Sequence, residues 1–200
     1  MKEKIAESLK FLFFVLLIPV AIGVTAGFLH QFQTIKEVDQ NGFLLGVSAF
    51  LIIYLFVYEP QGIYQYGYDL VGNVFQFFAP LVKVAPFVLP IYSLFILIIY
   101  FFTLFFPSMV GASKYFMFLT GFTLSLHFIF TAKSLRAKDN NIAKAHYLFS
   151  MILIYIPNVI ILALLFDLIY PEFSFPKLFV VMANLANGVY TSVFNQLFIP

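Results

Sequence analysis

The chain has 200 residues, 62% of them hydrophobic and only 10% charged, with a net charge of +2 and a mean hydropathy of +0.99. That balance offers no basic patch for nucleic acid, and the absence of cysteine excludes disulfides, thiolate metal sites and cysteine nucleophiles. Three histidines, His30, His127 and His146, leave little imidazole for metal chemistry.

Six long apolar runs cover residues 11–29, 43–58, 84–106, 115–132, 147–170 and 178–199. A helix needs ~20 apolar residues to cross the hydrocarbon core, so the expected fold is all-α. It is a single polytopic transmembrane bundle of about six spanning helices in contact with the lipid bilayer. With no Trp and 29 Phe, the interfacial aromatic belt falls to Phe and Tyr. The first run follows Lys2, Lys4 and Lys10. It exceeds the ~7–15 residues of a signal-peptide core and reads as an uncleaved anchor. Its helix should start near Ser8, bend at Pro19 and end near Gln31. The second helix should stop at Glu59-Pro60.

Residues 61–70 are aromatic but polar, 71–78 are more apolar though broken by Gly72, Asn73 and Gln76, and Pro80, Pro86 and Pro90 follow closely. Residues 61–80 read as a short helix that lies at the interface or re-enters the membrane, covered by neighbouring helices, since exposed backbone is not tolerated at depth. Charge supports this. With six crossings, Lys2, Lys4 and Lys10 fall on the same side as the link 133–144, which carries Lys133, Arg136, Lys138 and Lys144. Both regions are then cytoplasmic, and so are both termini. The basic link reads first as a topology signal, and otherwise as a contact for anionic lipid or a soluble partner.

Two pairs of glycines stand four residues apart, Gly23 with Gly27 and Gly42 with Gly46. That spacing lets helix backbones approach closely and reads as packing within the chain, or else as a dimer contact. Thr120, Thr123, His127 and Thr131 share one helical face and should point inward, because lipid penalises polar groups. Asn158, and the stripe of Asn184, Asn187, Thr191 and Asn195, read likewise as inward amides, either helix-packing glue or the lining of a polar path. Asp69, beside Tyr68, is the carboxylate of the dipping segment. Asp167 lies near a helix end.

The stretch Tyr58-Glu-Pro-Gln-Gly-Ile-Tyr-Gln-Tyr-Gly-Tyr-Asp-Leu-Val-Gly72 resembles bacterial membrane proteins related to site-2-type intramembrane zinc metalloproteases. Ala85-Pro-Phe-Val-Leu-Pro-Ile-Tyr92 and the segments 121–131 and 149–158 are similar to that group's later elements. The resemblance covers roughly 58–166. In a helical His-Glu-x-x-His the imidazoles share a face, with the glutamate as base. Here Gly67 and Leu70 keep their places, Tyr68 and Gly72 stand where the histidines would be, and Asp69 stands for the glutamate. His127 and Asp139 match further positions of interest in the group. A catalytic zinc takes about three protein ligands, so the resemblance implies a degenerate relative in a bacterial cytoplasmic membrane. It would bind no metal or cofactor, catalyse nothing, and scaffold a complex with other membrane subunits. The alternative is a small transporter or channel lined by Asp69, His127 and the inward amides.

Overall fold

A computed structural model of the chain describes residues 2–103, 105, 112–138 and 145–198. The described backbone is helical and contains no strand. In order the helices are α1 (Lys2–Phe32), α2 (Glu37–Phe56), α3 (Gln61–Val74), α4 (Ala79–Val88), α5 (Ile91–Thr103), α6 (Ser113–Lys138), α7 (Ala145–Ile169) and α8 (Phe175–Phe198). Five segments are long and apolar enough to cross a membrane: Ile5–Phe32, Glu37–Phe56, Ser113–Ala137, Tyr147–Ile169 and Phe175–Phe198. A sixth crossing exists if the bent pair α4 and α5 counts as one span. The protein is an all-α integral membrane protein.

Local chemistry explains the boundaries. α1 begins before Ser8 because residues 2–10 are almost all good helix formers. It continues through Pro19. α2 carries Glu37 and Asp39 in its first turn, where the positive end of the helix dipole favours them. The expected third span is broken rather than continuous. Leu89 is extended, with φ −100° and ψ 108°, because the following Pro90 disfavours the α region. The chain bends by 61° between Val88 and Ile91 as a result. The expected short helix is α3, 14 residues long and packed against α4 and α5. The basic segment differs from a link: α6 runs on through Lys138, so Lys133, Arg136 and Lys138 are helical. Lys-Ser-Leu-Arg-Ala-Lys has the propensity to extend a helix. Lys144 and Asp139 lie outside the described residues.

The chain divides into two compact units. The first comprises Met1–Thr34, Leu135–Asp167 and Pro171–Pro200, so it holds α1, α8 and nearly all of α7. Here α1 packs along α8. A Cβ added at Gly23 would sit 2.7 Å from the Met182 carbonyl oxygen, and one at Gly27 would sit 2.6 Å from that of Leu178. No described residue has positive φ, so these glycines serve close approach rather than a special backbone angle. Phe28, Phe166 and Phe173 fill the centre with ring centroids 5.6–5.8 Å apart. The turn before α8 is tied down by polar groups. Buried Gln31 accepts the Ser174 N–H at 3.1 Å, and Asp167 accepts the Phe175 N–H at 2.8 Å, which satisfies donors at the start of α8.

The second unit, Ile35–Ser134 with Leu168–Tyr170, holds α2 to α5 and most of α6. α2 and α6 meet backbone to backbone. A Cβ at Gly42 would lie 2.6 Å from the Lys114 carbonyl oxygen, one at Gly46 1.9 Å from that of Phe118, and one at Gly121 2.2 Å from that of Phe43. In lipid, apolar groups gain nothing by leaving solvent, so close van der Waals contact of this kind is what holds helices together. Both glycine pairs therefore pack helices of the same chain.

Candidate functional site

The polar face of α6 points into the second unit. Thr120, His127 and Thr131 are buried there. The Thr123 and Ser93 hydroxyls bond at 2.9 Å, and those of Thr131 and Tyr64 at 3.2 Å. Around them stands an aromatic cluster in which Phe50, Tyr64, Leu126 and Phe130 are buried and Tyr54, Tyr68, Tyr92 and Phe122 pack alongside. Tyr68 meets Phe87 edge to face at 5.2 Å. Tyr92 donates its hydroxyl to the Ile63 carbonyl at 2.6 Å, which fixes α5 against α3. Gly67 admits this approach, since a Cβ there would lie 2.7 Å from the Tyr92 ring.

His127 has a definite task. Phe87 lies in the last turn of α4, where carbonyls lack intrahelical partners. Pro90 ends the helix, and the N–H of Ile91 turns back to Leu89 instead. The Phe87 carbonyl is 3.0 Å from His127 Nε2. A carbonyl only accepts, so Nε2 carries the proton and the ring caps α4.

The positions that the resemblance would give to zinc ligands hold other groups. Tyr68 is half-buried against Phe87, and nothing lies within 4 Å of a Cβ placed on Gly72. Asp69 is exposed and accepts the Gln65 amide at 2.9 Å. Burial first, and the Asp69 carboxylate second, push the Tyr68 hydroxyl above its ordinary pKa, so it stays a phenol. Among the described residues no three His, Asp or Glu side chains gather as they would around a metal ion. Tyr68, Asp69 and Gly72 supply one carboxylate and no imidazole, short of the about three ligands that a catalytic zinc takes.

The remaining expected site residues scatter. Asn158 is buried in α7 and donates to the Ile154 carbonyl at 2.9 Å, one turn back along its own helix. Asn184 and Asn187 are exposed, as are Thr191 and Asn195, so the inward placement expected for them does not hold. The reason is geometric: α8 turns its opposite face, with Leu178, Met182 and Ala186, inward, and the amides then face out. Lys133 forms an ion pair with Glu59 just ahead of α3. Arg136 is exposed.

Sequence reasoning missed Asp39. It is 2% exposed, and among the described residues no hydrogen bond reaches its Oδ1. The Tyr170 and Tyr100 hydroxyls and Ser113 gather near it from the ends of other helices. Burial, then Tyr100 and Asp39, hold the Tyr170 hydroxyl well above its usual range. An aspartate in a short polar link gives no local sign of this, because the groups that cover it lie 60 or more residues away.

Comparison with protein-family models, curated proteins and solved structures finds no match to this chain.

Proposed function

We propose that the protein is a non-catalytic integral membrane subunit that scaffolds a complex with other membrane proteins. We place it in a bacterial cytoplasmic membrane with both termini cytoplasmic, from the basic residues at positions 2–10 and 133–138. The observation that carries the reading is the filled space beside α3. Where a metalloprotease-like bundle would present paired imidazoles, Tyr68 closes on Phe87, and the one nearby histidine caps a helix through Nε2. Inside the second unit the hydroxyls of Tyr64, Thr131, Ser93 and Thr123 are spent on helix-to-helix bonds. A transport path finds less support, because Asp69 and the α8 amides are exposed rather than gathered along one interior line.

Purification in mild detergent is the test. A stoichiometric second membrane protein that co-elutes with the chain is the expected result. Elution without any other protein overturns the scaffold reading. Bound zinc, or peptide-bond cleavage that stops on adding a chelator, overturns the non-catalytic one.

A further inference from the structure

Asp39 is the one buried carboxylate among the described residues. Backbone packing sets its place. Gly42, one turn further along α2, lets that helix meet α6 at the Lys114 carbonyl, 2.6 Å from where a Cβ would stand. The contact brings the first turn of α2 to the start of α6 at Ser113. Tyr100 comes from the last turn of α5, and Tyr170 follows the end of α7. Both tyrosines are buried, at 6% and 5% exposure, with ring centroids 6.2 Å apart. Their hydroxyls stand beside Asp39 and beside each other, and that of Tyr100 also neighbours Ser113. All four residues belong to the second unit.

The cluster carries a charge that its own members do not balance. Among the described residues no ion pair reaches Asp39, and no hydrogen bond reaches its Oδ1. The basic side chains nearest in sequence turn elsewhere. Lys36 is exposed, and Lys114 lays its ammonium over the Tyr115 ring, 4.9 Å from the centroid. A carboxylate shut away from water needs a partner, and the first turn of α2 is a favourable place for its negative charge. The surrounding hydroxyls are neutral, and each can turn its lone pairs toward a cation. Carboxylate and hydroxyl oxygens are ligands for a hard cation. One formal charge sets the valence. A single positive charge cancels it, whereas calcium is held by several carboxylates and 6–8 oxygens. We infer that Asp39, Tyr100, Ser113 and Tyr170 form a binding site for one alkali cation of the sodium class. With α4 and α5 counted as one crossing, the start of α2, the end of α5 and the start of α6 fall at one edge of the membrane, where the ion enters from water. A bound ion would tie these helix ends together. The site uses none of the positions compared with zinc ligands, and it stands whether or not the scaffold reading does.

The test is made on the purified full chain in detergent at neutral pH. Sodium chloride replaces choline chloride at fixed ionic strength while the thermal midpoint is followed. Sodium should raise the midpoint saturably, by about 3–6 °C at ten times its dissociation constant. Asp39→Asn keeps the shape of the side chain and removes its charge, and its midpoint should not respond to sodium. Tyr170→Phe removes one ligand oxygen and should raise the half-maximal sodium concentration by about two- to tenfold. A second measurement needs no variant. Radioactive sodium held by the unsubstituted protein should saturate at about one ion per chain and be displaced by unlabelled sodium but not by choline. Absence of saturable sodium binding overturns the inference, and a proton is then what neutralises Asp39. A sodium response that persists unchanged in Asp39→Asn also overturns it, because the ion then sits elsewhere. So does a midpoint that responds to calcium and not to sodium.

Discussion

The α2–α6 contact predicts a sharp asymmetry among glycine-to-alanine substitutions. In Gly46→Ala the new methyl would lie 1.9 Å from the Phe118 carbonyl oxygen, 2.8 Å from its carbonyl carbon and 2.9 Å from the Phe122 nitrogen. Real Cβ contacts essentially never fall below 3.0 Å, so the helices must part by about 1 Å. No side chain can swing aside, because every one of these atoms is backbone. Overpacking of this kind costs about 1–3 kcal/mol, and the separation also loosens Phe50, Phe122 and their neighbours. Alanine recovers about 0.5–1 kcal/mol through its better helix propensity. The net expectation is a loss of about 1–2 kcal/mol, a few degrees in thermal midpoint at ~2–4 °C per kcal/mol for a chain of this size. Gly72→Ala is the internal control: nothing lies within 4 Å of its added methyl, so only the propensity gain remains and the midpoint should hold or rise. The assay heats the detergent-solubilised protein and measures the monodisperse fraction left after centrifugation. Equal midpoints for Gly46→Ala and Gly72→Ala would refute the backbone contact.

Other consequences are checked in the same assay. His127→Phe keeps an aromatic ring but leaves the Phe87 carbonyl without its donor, and should cost about 1–3 kcal/mol. Glu59→Gln removes an ion pair whose side chains are each 44% exposed, so the loss should stay below about 1 kcal/mol. For Tyr170, burial raises the folded-state pKa above that of the unfolded chain. Its contribution is therefore full below pH ~10 and is lost as pH rises further. The protein should weaken above that pH, and Tyr170→Phe should weaken less steeply; identical pH profiles would contradict the buried phenol.

Much of this was legible in the sequence, and the reasons are specific. The span positions follow from apolar length, and Pro90 with the extended residue before it marks the break between α4 and α5. The α6 stripe was readable because an isolated helix in lipid cannot face Thr120, His127 and Thr131 outward without a partner. The same logic misplaced Asn184 and Asn187. A polar stripe does not say which face of its helix packs, and α8 packs through Leu178, Met182 and Ala186 instead. Asp39 was illegible for a different cause. Its burial comes from Tyr100 and Tyr170, and no local pattern encodes which helix ends converge.

The two glycine contacts also set an order of assembly during synthesis. Gly46 cannot meet Phe118 until about 70 further residues have been made, roughly 4–14 s at 5–20 residues per second. Gly23 waits for Met182, about 160 residues later, roughly 8–32 s. A bare glycine groove on the first helix must therefore be sheltered in the membrane, by lipid or by the insertion machinery, for longer than the groove on α2. Slowed elongation would lengthen that exposure and raise the yield of wrongly paired helices.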